Sequence, residues 1–171
     1  PKQLPLHRIE GYDVSNTQGT DSAVSMVVFI DGKPDTSHYR IFNIKTLNTP
    51  NDYQMMREAT YRRQNHPEWG TPNLIVIDGG KGQVRSVLKS WKWNCPVIGI
   101  AKNPDRLVLP KIKWGEWELE NKNVQLKNLD YHIVKLEPSH PSLKLIQQIR
   151  DESHRFSQNQ HKRRRLKGMF E

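Results

Sequence analysis

Three polar residues interrupt stretches that otherwise read as core: Asp13, Asp78 and His154. Asp13 closes the strand-like run Arg8-Ile9-Glu10-Gly11-Tyr12-Asp13-Val14. Asp78 closes the apolar run Leu74-Ile75-Val76-Ile77-Asp78, directly before Gly79-Gly80-Lys81-Gly82. Burying either carboxylate unpaired costs several kcal/mol, so a turn, a water or a cation must compensate it. Two carboxylates on neighbouring strand ends suit Mg²⁺ or Mn²⁺, which prefer carboxylate oxygen and keep several waters. A cation held this way neutralises charge on a phosphorane and acidifies an attacking water, the needs of phosphodiester hydrolysis. An imidazole with an unperturbed pKa of about 6.5 can take a proton from that water or return one to a 3′ leaving oxygen. It can also ligate a second metal weakly. Proton transfer or water orientation is the preferred role for His154, because a neutral ring in place of a third carboxylate draws a second hard cation less strongly. The competing readings are plain ones: each aspartate as a turn former, and His154 as a packing residue at a helix edge.

Charge narrows the partners. The 171 residues carry 27 Lys plus Arg against 18 Asp plus Glu, a formal charge of +9. Such a surface attracts polyanions, and nucleic acid is the natural candidate. The length suits one domain, residues 1–171, with a substantial core and an insertion. One cysteine, Cys95, excludes a disulfide framework and a Cys-rich zinc site, and it opens the apolar run Cys95-Pro96-Val97-Ile98 as a small hydrophobe. The absence of a long apolar stretch or signal-like start gives no support to membrane insertion or secretion, and a cytoplasmic location is expected. Beginning at Pro1 rather than Met, the chain is expected to be a piece of something longer.

The elements that must position the three residues follow from periodicity. A strand is predicted from Arg8 to Ser15, a second over Ser22–Ile30, a hairpin turn at Asp31-Gly32-Lys33-Pro34, and a third strand from about Ser37 to Ile44. The pattern then changes to helical spacing from Thr49-Pro50-Asn51-Asp52 to Arg63, ended by Pro67 and Gly70. Leu74–Asp78 is a fourth, central strand. Val84, Val87, Leu88 and Trp91 mark a second helix, and Pro96–Ala101 a fifth strand. Residues 103–140 read as a small β-rich insertion, with Trp114 and Trp117 packing it against the rest. Pro141 to about Arg165 reads as a closing helix with Leu145, Ile146, Ile149 and Phe156 buried, and Leu143, Gln147, Arg150, His154 and His161 on a neighbouring stripe.

Three antiparallel strands, alternating helices and parallel strands, and a closing helix resemble the ribonuclease H fold: a mixed five-stranded sheet flanked by helices. In that fold the first and fourth strands are central neighbours and their ends meet the last helix, which would gather Asp13, Asp78 and His154. The chain also resembles a particular family, the C-terminal endonuclease domain of UvrC, the incision subunit of bacterial nucleotide excision repair. The resemblance is carried by Ile9-Glu10-Gly11-Tyr12-Asp13-Val14-Ser15-Asn16-Thr17-Gln18-Gly19, Tyr39–Ile44, Asp52-Tyr53, Met56-Arg57-Glu58, Ile77-Asp78-Gly79-Gly80-Lys81-Gly82-Gln83, Ile98–Lys102 and Arg150–Phe156. It implies a cut in damaged double-stranded DNA on the 5′ side of a lesion, with Asp13, Asp78 and His154 as catalytic residues. It also implies work with UvrA-like damage-recognition proteins and a UvrB-like helicase. The family's N-terminal nuclease and helix-hairpin-helix module are not recognisable in this chain. Asn16 stands where a histidine is common, and residues 107–131 match none of the family's motifs.

Secondary candidates surround this trio. Asp52 matches an acidic position in the family and equally suits an N-cap. Glu58 could be a further acidic ligand or a partner of Arg62 at i+4. Lys81, Arg150, Arg155 and the run Lys162-Arg163-Arg164-Arg165 are candidate DNA contacts, although cations at a helix end are favourable in any case. Two rival functions stand beside the endonuclease of excision repair: an endonuclease V-like enzyme acting near deaminated bases, and a non-catalytic ribonuclease H-like DNA-binding module.

Overall fold

The computed structural model describes residues 6–17, 21–45, 51–117 and 126–170. In chain order the elements are β1 (Arg8–Thr17), β2 (Asp21–Ile30), β3 (Lys33–Pro34), β4 (Arg40–Asn43), α1 (Asp52–Arg63), β5 (Leu74–Asp78), α2 (Lys81–Leu88), β6 (Val97–Ala101), β7 (Arg106–Pro110), β8 (Tyr131–Val134) and α3 (Pro141–Phe170). The strands form one sheet in the order β3-β2-β1-β5-β6-β7-β8, with β4 also pairing on β2. Among the described strands only β1–β5 and β5–β6 are parallel pairs. This mixed sheet keeps β1 and β5 as central neighbours, as the ribonuclease H resemblance implies.

Local chemistry explains most boundaries. The β2–β3 turn places Asp31 and Gly32 at positive φ, the conformation that an Asp-Gly hairpin supplies. The third predicted strand is shorter than the sequence pattern suggests, because Thr36–His38 form a 3₁₀ turn in which Asp35 accepts from the Ser37 amide. A side chain that satisfies the backbone locally competes with ladder bonds. The sheet is also wider than the five strands expected. Leu107 and Val108 pair with Ile100 and Gly99, and Ile133 pairs with Val108, so the 103–140 insertion continues the main sheet. Trp117 anchors it, buried with Nε1 donating to the Trp91 carbonyl oxygen at 3.1 Å.

Helices cover both faces. Along β1, Glu10 meets Arg63 of α1 while Gly11 meets Ile149 of α3, and successive residues face opposite sides of a sheet. A Cβ at Gly11 would lie 2.4 Å from Ile149 Cγ2, so glycine is what lets α3 approach this closely. The buried stripe of α3 runs through Leu143, Ile146, Ile149, Ser153 and Ser157, which moves Leu143 into the core and leaves Leu145 and Phe156 half-buried. The two serines account for the shift: they are small enough to pack tightly but carry no hydrophobic signal. No described helix is long and apolar enough to cross a membrane.

Candidate active site

The parallel register sets Tyr12 beside Ile77, so the next residues, Asp13 and Asp78, stand side by side at the edge where β5 ends, beside a β1 that runs on to Thr17. Asp13 belongs to the α3 face of β1, as Gly11 does. Two residues along the strand and five along the helix from the Gly11–Ile149 contact, His154 Nδ1 lies 3.4 Å from Asp13 Oδ2. Gln158, one turn further, has its amide nitrogen 3.0 Å from His154 Nε2. That amide can only donate, so Nε2 accepts and Nδ1–H is left pointing at Asp13. The structure thus brings all three sequence-predicted residues together.

Electrostatics set Asp13 apart. Burial pushes its carboxyl from 3.8 up to about 6; the negative charge of Asp78 adds to the rise, and His154 opposes it. A cleft of about 220 Å³ opens beside this pair, lined by Asp78, His154, Lys102, Asn103 and the acidic side chains Asp105 and Asp151. Arg150 also lines it, but its guanidinium is spent on protein: Nη1 lies 2.9 Å from Asp105 Oδ1, and Nε donates to Asp151 at 3.1 Å. The Arg150 hydrogen bond, helped by one from Gln147, holds the Asp105 carboxyl below its usual range. Asp105 and Lys102 are cleft residues that the sequence reading left without a role; only their side of the β6–β7 turn, folded back onto α3, reveals them.

Other candidates fall elsewhere. Asp52 is not the cap of α1: Asn51 accepts from the Gln54 amide, and Asp52, the first helical residue, accepts from Asn16 at 3.3 Å. Asn16 sits three residues beyond Asp13 on β1, on the opposite face by alternation. Glu58 accepts from Arg62 at 3.2 Å and from the Lys45 amide, the i+4 pairing among its readings. Arg155 clasps Glu152 through two hydrogen bonds, and Arg164 donates to Asn43. Lys162, Arg163 and Arg165 are exposed, as is Lys81, whose ammonium lies 5.7 Å from the Tyr131 ring centroid.

One polar cluster escaped the sequence reading. Glu10 is fully buried and receives Arg8 Nε at 2.8 Å, Arg63 Nη2 at 2.8 Å and the Tyr12 hydroxyl at 2.8 Å. Arg63, also buried, donates onward to the carbonyl oxygens of His66 and Gly70. The charged alternation of Arg8 and Glu10 in a strand was its one visible signal.

Carboxylates on adjacent central strands, with a histidine from the closing helix, are the arrangement of a nuclease built on a ribonuclease H-like sheet. The chain belongs to the UvrC RNase H endonuclease domain family, whose profile matches residues 2–157. It is 40% identical over 168 residues to UvrABC system protein C of Methanococcoides burtonii, covering 95% of this chain and 25% of that protein. The corresponding protein of Cytophaga hutchinsonii is 41% identical over 174 residues, covering 97% and 26%. The chain therefore spans about a quarter of the length of these relatives. An endonuclease V from Ciona intestinalis, crystallised with a 24mer DNA containing an inosine followed by a ribo-adenosine, is similar in outline. It shares 17% identity over 71% of this chain and 54% of that one, with a TM-score of 0.44.

Proposed function

We propose that this endonuclease domain hydrolyses a DNA phosphodiester on the 5′ side of a lesion in nucleotide excision repair, using Mg²⁺ or Mn²⁺ held by Asp13 and Asp78. The observation that carries the reading is the meeting of Asp13, Asp78 and His154 at one edge of the sheet. The donor set fits a hard divalent cation. Two adjoining carboxylates, one raised by burial and by its neighbour's charge, are relieved by positive charge between them. No group of three or more His, Cys, Asp or Glu residues gathers as a metal site among the described residues. Two carboxylates with phosphate and water as the other ligands suit Mg²⁺, which retains its waters. When bound, the cation supplies charge neutralisation at the phosphate and a more acidic water.

The protein's own groups do the rest. Asp13 Oδ2 accepts from His154 Nδ1–H and so fixes the ring's tautomer and direction. Once the Gln158 amide gives it up, His154 Nε2 is the basic atom that takes the attacking water's proton or, as imidazolium, gives one to the departing 3′ oxygen. Lys81 and the exposed Lys162, Arg163 and Arg165 are read as phosphate contacts. Arg150, Arg155 and Arg164 are read as braces, because each is already engaged by the protein. Asp52 and Glu58 are read as scaffold, tying α1 to the end of β1 and to the segment after β4. Residues 1–171 are taken as one domain with 103–140 inserted, acting in the cytoplasm beside UvrA-like and UvrB-like partners.

The test is cleavage of end-labelled duplexes carrying a bulky adduct, no damage, or a single inosine, each with Mg²⁺, with Mn²⁺ and with chelator. Metal-dependent cutting 5′ to the adduct is expected, with the partner proteins supplied. Cutting in chelator would overturn the cation assignment, and preference for the inosine duplex would move the enzyme to the endonuclease V class.

A further inference from the structure

The proposed function uses the α3 face of the sheet, where Lys102 lines the cleft, yet a second group of cations lies on the other face. There α1 and α2 pack together at their N-terminal ends: the Tyr53 ring lies over Gly82, where an added Cβ would come within 2.8 Å of the Tyr53 hydroxyl oxygen, and Ser86 Oγ donates to the Tyr53 carbonyl oxygen at 2.7 Å. Between the helices runs a groove of about 310 Å³ whose cationic lining is Arg57, Arg85 and Lys89. No acidic residue lines it, and among the described residues none of these three cations forms an ion pair. This contrasts with α3, where Arg150 and Arg155 are neutralised by neighbouring carboxylates.

The spacing along α2 gives the groove a direction. Lys81, Arg85 and Lys89 stand at i, i+4 and i+8, so they share one helix face. Eight residues at 1.5 Å each carry that row over about 12 Å, long enough to meet successive phosphates of one strand. The row begins three residues after Asp78, and Arg57 faces it from α1.

We infer that Lys81, Arg85 and Lys89, with Arg57 across the groove, form the track for the phosphate backbone of the DNA that the catalytic edge cuts. The inference rests on the DNA reading above and adds where the strand lies: along α2, on the sheet face opposite α3. An acidic protein surface is the competing occupant.

Anisotropy of a labelled oligonucleotide duplex, measured without divalent metal across a salt series, decides it. The proteins compared are wild type, the exposed pair Arg85→Gln with Lys89→Gln, the same pair plus Arg57→Gln, and a charge-matched control, Lys33→Gln with Lys144→Gln. Circular dichroism monitors folding. Each lost phosphate contact should lower the slope of log K against log salt by about 0.9, so the pair should lose close to two and bind roughly tenfold more weakly at low salt, while the control keeps the wild-type slope. If both groove variants keep the wild-type affinity and slope, the track is wrong while the DNA reading stands, and the row then serves an acidic protein. If the wild type itself binds no duplex, the DNA reading fails and the track with it.

Discussion

Glu10 and Asp13 are three residues apart on β1, both buried, and they teach opposite lessons. Glu10 faces α1 and is saturated: two arginines and a tyrosine hydroxyl occupy its oxygens within 3.2 Å. Its charge is part of the architecture. Asp13 faces α3, where its neighbours are another carboxylate and one imidazole, and its carboxyl is pushed up to about 6. A buried acid that the protein itself has neutralised is scaffold. One that the fold leaves beside a second acid is held ready for a cation or a proton.

The comparison breaks most sharply in activity. Asp13→Asn or Asp78→Asn should abolish metal-dependent cleavage, whereas His154→Ala, with both carboxylates in place, should slow it by roughly two to four powers of ten. Single-turnover rates on adduct-bearing duplex, taken over a pH series, measure both. A His154→Ala protein with a near-normal rate and an unchanged pH profile would reduce the histidine to packing.

Stability should respond in opposite directions at the two sites. Glu10→Gln leaves Arg8 and Arg63 buried without their counter-charge and should destabilise the fold by about 3–5 kcal/mol. Asp13→Asn should stabilise it in metal-free buffer at neutral pH. With a folded pKa of about 6 against 3.8, the proton on Asp13 favours the fold; that contribution is fully present below about pH 3.8 and is lost as pH rises through about 6. The stability advantage of Asp13→Asn in denaturant melts should therefore grow between those values and level off above them, at no more than about 3 kcal/mol. Equal and pH-independent destabilisation by both substitutions would erase the distinction. A smaller effect belongs to Gly11, between the two acids: Gly11→Ala forces Ile149 to shift and should cost about 1–3 kcal/mol in denaturant melts.

The two sites also differed in how far the sequence exposed them. Asp78 stood out because it ends an apolar strand, Asp13 because it closes a strand-like run that in fact continues to Thr17, and His154 because it lies one helical stripe from the core; their meeting was implied by the ribonuclease H resemblance. The Glu10 cluster stayed hidden because its principal partner, Arg63, is 53 positions away and looks like an ordinary cation in the last turn of a helix. Long-range pairing leaves no periodic trace. The same reason concealed the pairing of Arg150 with Asp105, and it concealed the strands β7 and β8 as members of the main sheet. Ser153 and Ser157 misdirected the buried face of α3 because close packing selects for size, while a hydrophobic pattern reports only polarity.

Calorimetric titration of Mn²⁺ into the wild type and into Asp13→Asn, Asp78→Asn and Glu10→Gln separates the two carboxylate environments most directly, provided each variant is folded at the temperature used. Cation binding should appear in the wild type and Glu10→Gln and vanish in both aspartate variants. Binding of equal strength in Asp13→Asn and wild type would contradict the assignment of β1's second carboxylate to the cation.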